Sequence, residues 1–188
     1  MEKITRDSAT RGKPIRVVLT GSESTGKTTL AGQLATHYTA ELAPEFVREF
    51  AVRKGSALDL ADVDQIALGQ IALADMHAER AAGLASNLLV QDTDLLSTVV
   101  YCNHYYGQCA DWITKAASDR RPDLYLLLDI DVPWIPDDVR DRGTRREEMQ
   151  QLFRTAVAAS GAPYTVIRGT WDERMRMAQR AVDALRLG

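Results

Sequence analysis

The stretch VVLTGSESTGKTTLAGQLA, residues 17–35, decides the fold of this chain. An apolar run leads into GSESTGKT, residues 21–28, and a helical pattern follows directly. Glycines at both ends of such a loop allow backbone N–H groups to point inward, and the following helix N-terminus adds partial positive charge. The pattern therefore predicts a phosphate-binding loop (P-loop) between a strand and a helix, and with it a site for a nucleoside triphosphate.

The residue types of the P-loop fit a bound triphosphate. We expect Lys27 to contact the β- and γ-phosphates and to act in catalysis, and the Thr28 hydroxyl to bind Mg²⁺. Glu23 has two interpretations, solvent exposure or substrate contact, because a carboxylate beside phosphates repels them unless it faces a metal or a second substrate. The residues expected to bind ATP are Gly21, Ser22, Glu23, Ser24, Thr25, Gly26, Lys27, Thr28 and Thr29.

Apolar strand patterns alternate with helical patterns along the rest of the chain. This alternation predicts an α/β fold with parallel strands, in which ligands bind beyond the carboxyl ends of the strands. We assign residues 15–188 to one domain and residues 1–14 to a flexible N-terminal tail. The predicted strands are Ile15–Thr20, 39–43, 88–91, Leu124–Leu128 and 163–169, and the predicted helices are Lys27–Tyr38, 59–85, Leu95–Tyr106, 145–159 and 172–187.

The composition argues against several classes of protein. The chain has 188 residues and a formal net charge of −3, without the basic stripe of a nucleic-acid-binding protein, so we expect no nucleic-acid partner. No apolar run approaches the ~20 residues that span a bilayer, and we expect no membrane association. Cys102 and Cys109 fit free thiols in a reducing cytoplasm. Whether the chain forms a homo-oligomer stays open.

P-loops serve switches, motors and kinases, and other sequence features distinguish between these classes. A GTPase switch needs a base-reading Asn-Lys-x-Asp motif, which this sequence lacks. A motor or AAA-type ATPase usually has a strand that ends in Asp-Glu, whereas this chain has VQDTD, with no glutamate after Asp92. A small-molecule kinase must hold a hydroxyl in line with the γ-phosphate, accept its proton and exclude water.

Charged residues that follow the predicted strands meet the needs of a kinase. Glu45 lies in APEFVREF and Asp92 in QDTD, and we expect Asp92 to act in catalysis and to face the metal. Arginines crowd DDVRDRGTRR, residues 137–146, where Arg140 and Arg142 would close onto the phosphates as part of a lid. The alternative for this segment is a solvated loop with local ion pairs.

Four blocks of the sequence resemble the ribosylnicotinamide kinase domain of the NadR family of bacterial NAD-salvage proteins. In chain order they are GSESTGKTT, PEFVREF, LLVQDTDLLSTVVYCNHYYG and LYLLLDIDVPWIPDDVRDRG, and the resemblance runs from about residue 15 to the C-terminus. It implies a P-loop kinase fold, a three-layer sandwich with a five-stranded parallel sheet and a helical lid. It also implies ATP with Mg²⁺ as donor and a small-molecule substrate, nicotinamide riboside, whose 5′-hydroxyl is phosphorylated to give nicotinamide mononucleotide.

The resemblance also implies roles for individual residues. Residues 21–28 would bind the ATP phosphates. Asp92 would face the metal and the acceptor hydroxyl, and Arg140 and Arg142 would belong to the lid. The residues on the acceptor side would be Glu45, Arg48, Glu49 and Asp94.

The chain departs from the family pattern in two respects. It contains no stretch similar to the family's DNA-binding and adenylyltransferase domains, so repression and adenylylation are not expected of it. Ala43 and Pro44 stand where an aromatic residue would stack on the nicotinamide ring, which leaves Tyr105, Tyr106 and Trp134 as candidates. Two other functions stay open: a kinase of another nucleoside, nucleotide or small alcohol, and a regulatory ATP-binding module with slow ATPase activity.

Overall fold

Strands and helices alternate along the chain as the sequence predicts. The computed structural model describes residues 12–131 and 146–187. The strands are β1 (Ile15–Thr20), β2 (Glu41–Ala43), β3 (Leu88–Asp92), β4 (Leu124–Leu128) and β5 (Tyr164–Ile167). The helices are α1 (Lys27–Tyr38), α2 (Phe46–Lys54), α3 (Val63–Gly83), α4 (Leu95–Tyr106), α5 (Asp111–Asp119), α6 (Arg146–Ala159) and α7 (Trp171–Leu187).

The five strands form one parallel sheet in the order β2-β3-β1-β4-β5, which confirms the predicted α/β fold. The register places Leu19 of β1 beside Asp92 of β3, and Ala43 of β2 beside Gln91 of β3. The carboxyl ends of β2, β3 and β1 are therefore neighbours, and the residues that follow them share one edge of the sheet.

Helices cover both faces of the sheet, so the chain forms three layers. On one face, α1 and α7 pack around Leu30, Leu34 and Val182. On the other face, α3, α4 and α6 pack, the last of these through Phe153 and Val157. Because both faces are covered, every residue of β3 and β4 is buried. No helix in the described part of the chain is long and apolar enough to cross a membrane.

The sequence analysis misses two short helices, α2 and α5. Each has nine residues, and each buries a single side chain, Phe50 in α2 and Ile113 in α5. Each is shorter than the roughly 11 to 18 residues over which a helical repeat of apolar positions is recognised. The predicted helix 59–85 divides into a 3₁₀ turn, Leu60–Asp62, and α3.

Several predictions fall outside the described residues. These are the two lid arginines, Arg140 and Arg142, and the stacking candidate Trp134. Most of the predicted tail, residues 1–14, also lies outside, since the description begins at Gly12.

Candidate functional site

Two glycines give the P-loop its shape. Gly21 has a φ of 128°, and a Cβ built on it would lie 2.8 Å from the Leu128 carbonyl oxygen at the end of β4. Gly26 has a φ of 86°, and a Cβ there would clash with the ring of Trp171 from α7. Both positions need glycine, because the backbone is in a region that other residues rarely adopt and because neighbouring atoms leave no room for a side chain.

Lys27 lies inside the P-loop. It is buried, and its Nζ donates hydrogen bonds to the carbonyl oxygens of Gly21 at 3.0 Å and Ser22 at 2.6 Å. A phosphate oxygen entering the loop would compete with these neutral carbonyls for the ammonium group, and its negative charge makes it the stronger partner. The structure thus holds a cation where a site for phosphate requires one.

Thr28 and Asp92 form the pair that we expect to bind a metal ion. Thr28 Oγ1 donates to Asp92 Oδ2 at 2.5 Å, whereas Asp92 Oδ1 is buried and has no hydrogen-bond partner among the described residues. Burial raises the pKa of Asp92, the negative charge of Glu45 raises it further, and the hydrogen bond from Thr28 opposes both effects. Mg²⁺ prefers hard oxygen ligands, and Thr28 Oγ1 and Asp92 Oδ2 lie side by side, so the pair fits this metal and leaves Oδ1 for a second partner.

The described residues supply too few ligands to hold a metal ion without other donors. Among residues 12–131 and 146–187, no group of three or more His, Cys, Asp or Glu side chains could bind one. Mg²⁺ in phosphate-transferring sites often takes one or two protein oxygens and completes its shell with water and substrate phosphates. Thr28 and Asp92 fit this arrangement, in which the metal binds together with the nucleotide.

The charged residues of the PEFVREF block lie in different environments. Glu45 immediately precedes α2, its side chain is only 7% exposed, and its charge acts on Asp92. Arg48 lies 3.4 Å from Glu45 and also acts on Asp92. Glu49 is 68% exposed and pairs with Arg53 at 3.7 Å. The structure therefore brings Glu45 and Arg48 towards Asp92 and leaves Glu49 on the surface.

Asp94 makes its contacts within the fold, and its binding of substrate stays a prediction. Its Oδ1 accepts a hydrogen bond from the Leu96 N–H at 3.0 Å and caps α4, and its Oδ2 accepts one from the Tyr125 hydroxyl at 2.6 Å. Burial raises the pKa of this carboxyl group. Thr93, between the two aspartates, has a φ of 68°, which is rare for a β-branched residue. Asp92 and Asp94 consequently contact different parts of the protein.

Glu23 is buried, so solvent exposure is wrong for it. Its Oε2 accepts hydrogen bonds from the hydroxyl groups of Tyr101 at 3.1 Å and Ser22 at 3.3 Å. The Tyr101 ring stacks on Tyr105, with the ring centroids 6.1 Å apart and the planes 6° from parallel. Tyr105 is 48% exposed. Helix α4 thus presents an aromatic ring to solvent close to the P-loop carboxylate.

Three further side chains contact the P-loop backbone. None of them was predicted as a site residue. Each forms a hydrogen bond with a backbone atom of the loop. Arg146 donates to the Ser24 carbonyl at 3.1 Å, and Arg174 donates to the Thr25 carbonyl at 3.0 Å. Gln150 Oε1 accepts a hydrogen bond from the Ser22 N–H at 3.2 Å. Arg146 ends the arginine-rich segment 137–146, so composition could have indicated it. Gln150 and Arg174 have no signal in the sequence.

Comparisons of the sequence with known proteins agree with the resemblance that the four blocks indicate. A family model described as an AAA domain matches residues 16–174. Two curated relatives share the name "Trifunctional NAD biosynthesis/regulator protein NadR". The relative from Salmonella typhimurium (strain LT2) is 31% identical over 143 residues, and the relative from Escherichia coli (strain K12) is 32% identical over 143 residues. Each match covers 73% of this chain and 34% of the relative, so the chain spans about a third of the length of these proteins.

Solved structures share the fold. A NadR protein in complex with NR superposes with a TM-score of 0.78 at 24% identity, covering 93% of this chain and 51% of that chain. A NadR protein in complex with NAD and AMP-PNP gives 0.77 at 24% identity, covering 93% and 50%. Thymidylate kinase from Ehrlichia chaffeensis gives 0.63 at 16% identity, covering 93% and 100%. These similarities show an α/β three-layer fold of the P-loop kinase type.

Proposed function

Because the chain belongs to the P-loop family described as an AAA domain, and its P-loop adjoins buried carboxylates, we propose that it is an ATP-dependent small-molecule kinase. The acceptor is the 5′-hydroxyl of nicotinamide riboside, and the product is nicotinamide mononucleotide. The observation that carries this proposal is the Thr28–Asp92 pair beside Glu45, since transfer to a hydroxyl needs a carboxylate close to the γ-phosphate. Similarity to NadR proteins, one solved with NR and one with AMP-PNP, supports this acceptor and this donor.

The P-loop binds the donor. Backbone N–H groups of residues 21–28 surround the phosphates, and the Lys27 ammonium exchanges its loop carbonyls for a phosphate oxygen. Thr28 Oγ1 and Asp92 Oδ2 would hold Mg²⁺, which would neutralise phosphate charge. Positioning and fixed charge are the main contributions that a protein makes to phosphoryl transfer, and this loop provides both.

The acceptor lies on the side of the P-loop where β2 and β3 end. Glu45, nearly buried at the start of α2, accepts hydrogen bonds from the ribose hydroxyls. Asp92 Oδ1 accepts the proton of the 5′-hydroxyl as that oxygen attacks the γ-phosphorus and ADP leaves. In the metal-free protein burial raises the pKa of Asp92, and the negative charge of Glu45 raises it further.

Tyr105 is the aromatic residue that we propose to stack on the acceptor ring. It is exposed, and it stacks on Tyr101, whose hydroxyl contacts Glu23 of the P-loop. Tyr106 points elsewhere, because its hydroxyl donates to the Leu58 carbonyl at 3.3 Å and its ring packs against the core.

Glu45→Gln should raise the KM for the riboside by about ten- to hundred-fold, because hydrogen bonds to a charged carboxylate contribute more than those to an amide. The kcat should change by less than about three-fold, since Glu45 acts on binding rather than on the transferring group. Steady-state kinetics with the riboside varied at saturating ATP measure both constants. Glu49→Gln is the matched control, because Glu49 belongs to the same helix and is exposed. Equal effects of the two substitutions would contradict the role of Glu45.

Arg140 and Arg142 should affect kcat more than substrate affinity, because lid arginines act on charge that shifts during transfer. Substitution of both by alanine should lower kcat by about 10²-fold or more, as loss of a transition-state donor does elsewhere. Substitution of both Arg53 and Arg80 by alanine is the control, since these arginines are more than half exposed and each forms an ion pair with a single carboxylate. A kcat within about two-fold of the wild type would mean that the segment is a solvated loop.

The description of the family as an AAA domain favours a second candidate, a regulatory ATPase module. The two candidates differ in what drives ATP consumption. A kinase releases ADP only as fast as an acceptor is phosphorylated, whereas a module hydrolyses ATP without one. ADP release that requires an added riboside supports the kinase, and ADP release that no riboside or small alcohol stimulates supports the module.

A further inference from the structure

Arg174 of α7 is completely buried behind the P-loop and donates hydrogen bonds to three different loops. Its relative exposure is 0%. The acceptors are the carbonyl oxygens of Thr25 in the P-loop at 3.0 Å, of Asp129 after β4 at 3.1 Å and of Gly169 after β5 at 3.0 Å, together with the Asp131 carboxylate. A guanidinium group has five N–H donors in a rigid plane, so it can join three loops in one geometry.

The bond to Thr25 also fixes the next N–H group of the loop. In a trans peptide the C=O and the N–H point to opposite sides, and the described residues include no cis peptide bond. Because Arg174 donates to the Thr25 carbonyl, the Gly26 N–H of the same peptide points away from Arg174. Backbone N–H groups turned inward are what binds phosphates in such a loop.

Trp171 reinforces this arrangement one turn earlier in α7. Its ring lies against the Cα of Gly26, where a side chain would clash, and the Arg174 guanidinium lies 5.9 Å from the centre of the ring. The two residues of α7 therefore contact consecutive residues of the P-loop, Thr25 and Gly26. Both contacts are made to the stretch of the loop that directly precedes Lys27.

We propose that Arg174 is a positioning residue for the donor nucleotide. With Trp171, it orients the Thr25–Gly26 peptide so that its N–H can bind the donor phosphates. This inference rests on the proposed binding of a nucleoside triphosphate at the P-loop, and it concerns the donor alone. Arg174 has no role towards the acceptor, whose residues follow β2 and β3 at the other side of the loop.

The test is calorimetric binding of AMP-PNP with Mg²⁺ to the full chain, without an acceptor. Arg174→Met should raise the Kd by about ten- to hundred-fold, because it leaves the Thr25 carbonyl without its charged donor and frees the peptide. Arg174→Lys keeps the charge but has no planar fork to join three loops, so its Kd should also rise, by about ten-fold. If Arg174→Met does not fold, Arg174→Lys is the deciding variant.

Arg154→Met is the matched control. Arg154 also binds Asp129, through the carboxylate at 2.8 Å, but its bond does not reach the P-loop. We expect its Kd for AMP-PNP to stay within about two-fold of the wild type. A purely structural Arg174 would lower the melting temperature and leave nucleotide affinity unchanged in the folded protein. That result overturns the inference, and so does an equal loss of affinity in Arg154→Met.

The acceptor provides a second measurement. In steady-state kinetics, Arg174→Lys should raise the KM for ATP, with the KM for the riboside within about two-fold of the wild type. An equal rise in both constants would contradict a role confined to the donor. Failure of the proposed function gives a different result, because the wild-type protein would then bind AMP-PNP but transfer no phosphoryl group to the riboside. A wild-type protein that binds no AMP-PNP would overturn the nucleotide site itself.

Discussion

Asp92→Asn is expected to lower kcat by about 10²- to 10⁴-fold, the range that loss of a general base produces. Asparagine keeps the size of the side chain, and its amide oxygen can still accept the hydrogen bond from Thr28. It cannot take up a proton from the acceptor hydroxyl, and it gives a metal ion a neutral ligand in place of a charged one. The riboside Kd should change little, by less than about two-fold, because Asp92 acts on the reacting atoms rather than on the ribose.

Two measurements separate the roles of Asp92 and Glu45. Calorimetry gives the riboside Kd, and initial rates give kcat, for Asp92→Asn and Glu45→Gln side by side. Asp111→Asn serves as the control for loss of a carboxylate charge, because Asp111 lies on the surface in the first turn of α5. If Glu45→Gln abolishes turnover while Asp92→Asn only weakens riboside binding, the assignment is reversed and Glu45 is the base.

Lys27→Ala should lower kcat by about 10²- to 10³-fold, the loss that follows removal of one donor from a preorganised anionic site. The reason is that Lys27 is the lysine inside the P-loop, within reach of phosphate oxygens. The fold should survive, because the partners that Lys27 loses are carbonyl oxygens in a loop that Arg146, Gln150 and Arg174 also hold.

A thermal melt checks the fold of Lys27→Ala, and initial rates with saturating ATP check its activity. Lys115→Ala is the control, because Lys115 is 75% exposed and pairs only with Asp119 on its own helix. An unchanged kcat in a folded Lys27→Ala protein would contradict the proposed nucleotide site at the P-loop.

The fold was largely predictable because its decisive signals are local. The bounds of β1, α1, α4 and β4 agree with the predicted ones, since each is an apolar run or a repeating helical pattern. The last helix begins at Trp171, and Thr170 and Glu173 form reciprocal hydrogen bonds at its N-terminus. Helices α2 and α5 were missed because nine residues are too few for a helical repeat to stand out.

Site residues were predictable only where they end a strand or directly follow one. The P-loop residues are contiguous, and Asp92 ends a strand next to β1, so strand order alone brings it to Thr28. The sequence does not tell which of two aspartates lies beside Thr28, and in the structure the Asp94 carboxylate contacts Leu96 and Tyr125 instead. The left-handed conformation of Thr93 separates the two aspartates.

Contacts between residues that are far apart in the sequence could not be predicted. Gln150 and Arg174 reach the P-loop from 128 and 149 residues away, and only the packing of α6 and α7 on the sheet brings them there. A buried arginine or glutamine in a helix looks like any other polar position until the fold shows what it contacts.

Membership of a family described as an AAA domain conflicts with the sequence argument against an AAA-type ATPase. AAA-type ATPases usually have a glutamate directly after the strand-ending aspartate. In this chain Thr93 follows Asp92. The second carboxylate near Asp92 comes instead from Glu45, at the end of the neighbouring strand β2. A carboxylate in this position suits an acceptor molecule, so we retain the kinase as the proposed function.

The most direct test of this proposal is the mass of the product formed from nicotinamide riboside with ATP and Mg²⁺. A panel with adenosine, uridine, thymidine and 5′-deoxy-nicotinamide riboside, run beside it with ADP release recorded, completes the measurement. We expect nicotinamide riboside to gain the mass of one phosphoryl group for each ADP released, with the highest kcat/KM of the panel and no reaction of the 5′-deoxy compound. ADP release without a phosphorylated product, or transfer to another nucleoside with none to nicotinamide riboside, would contradict the account.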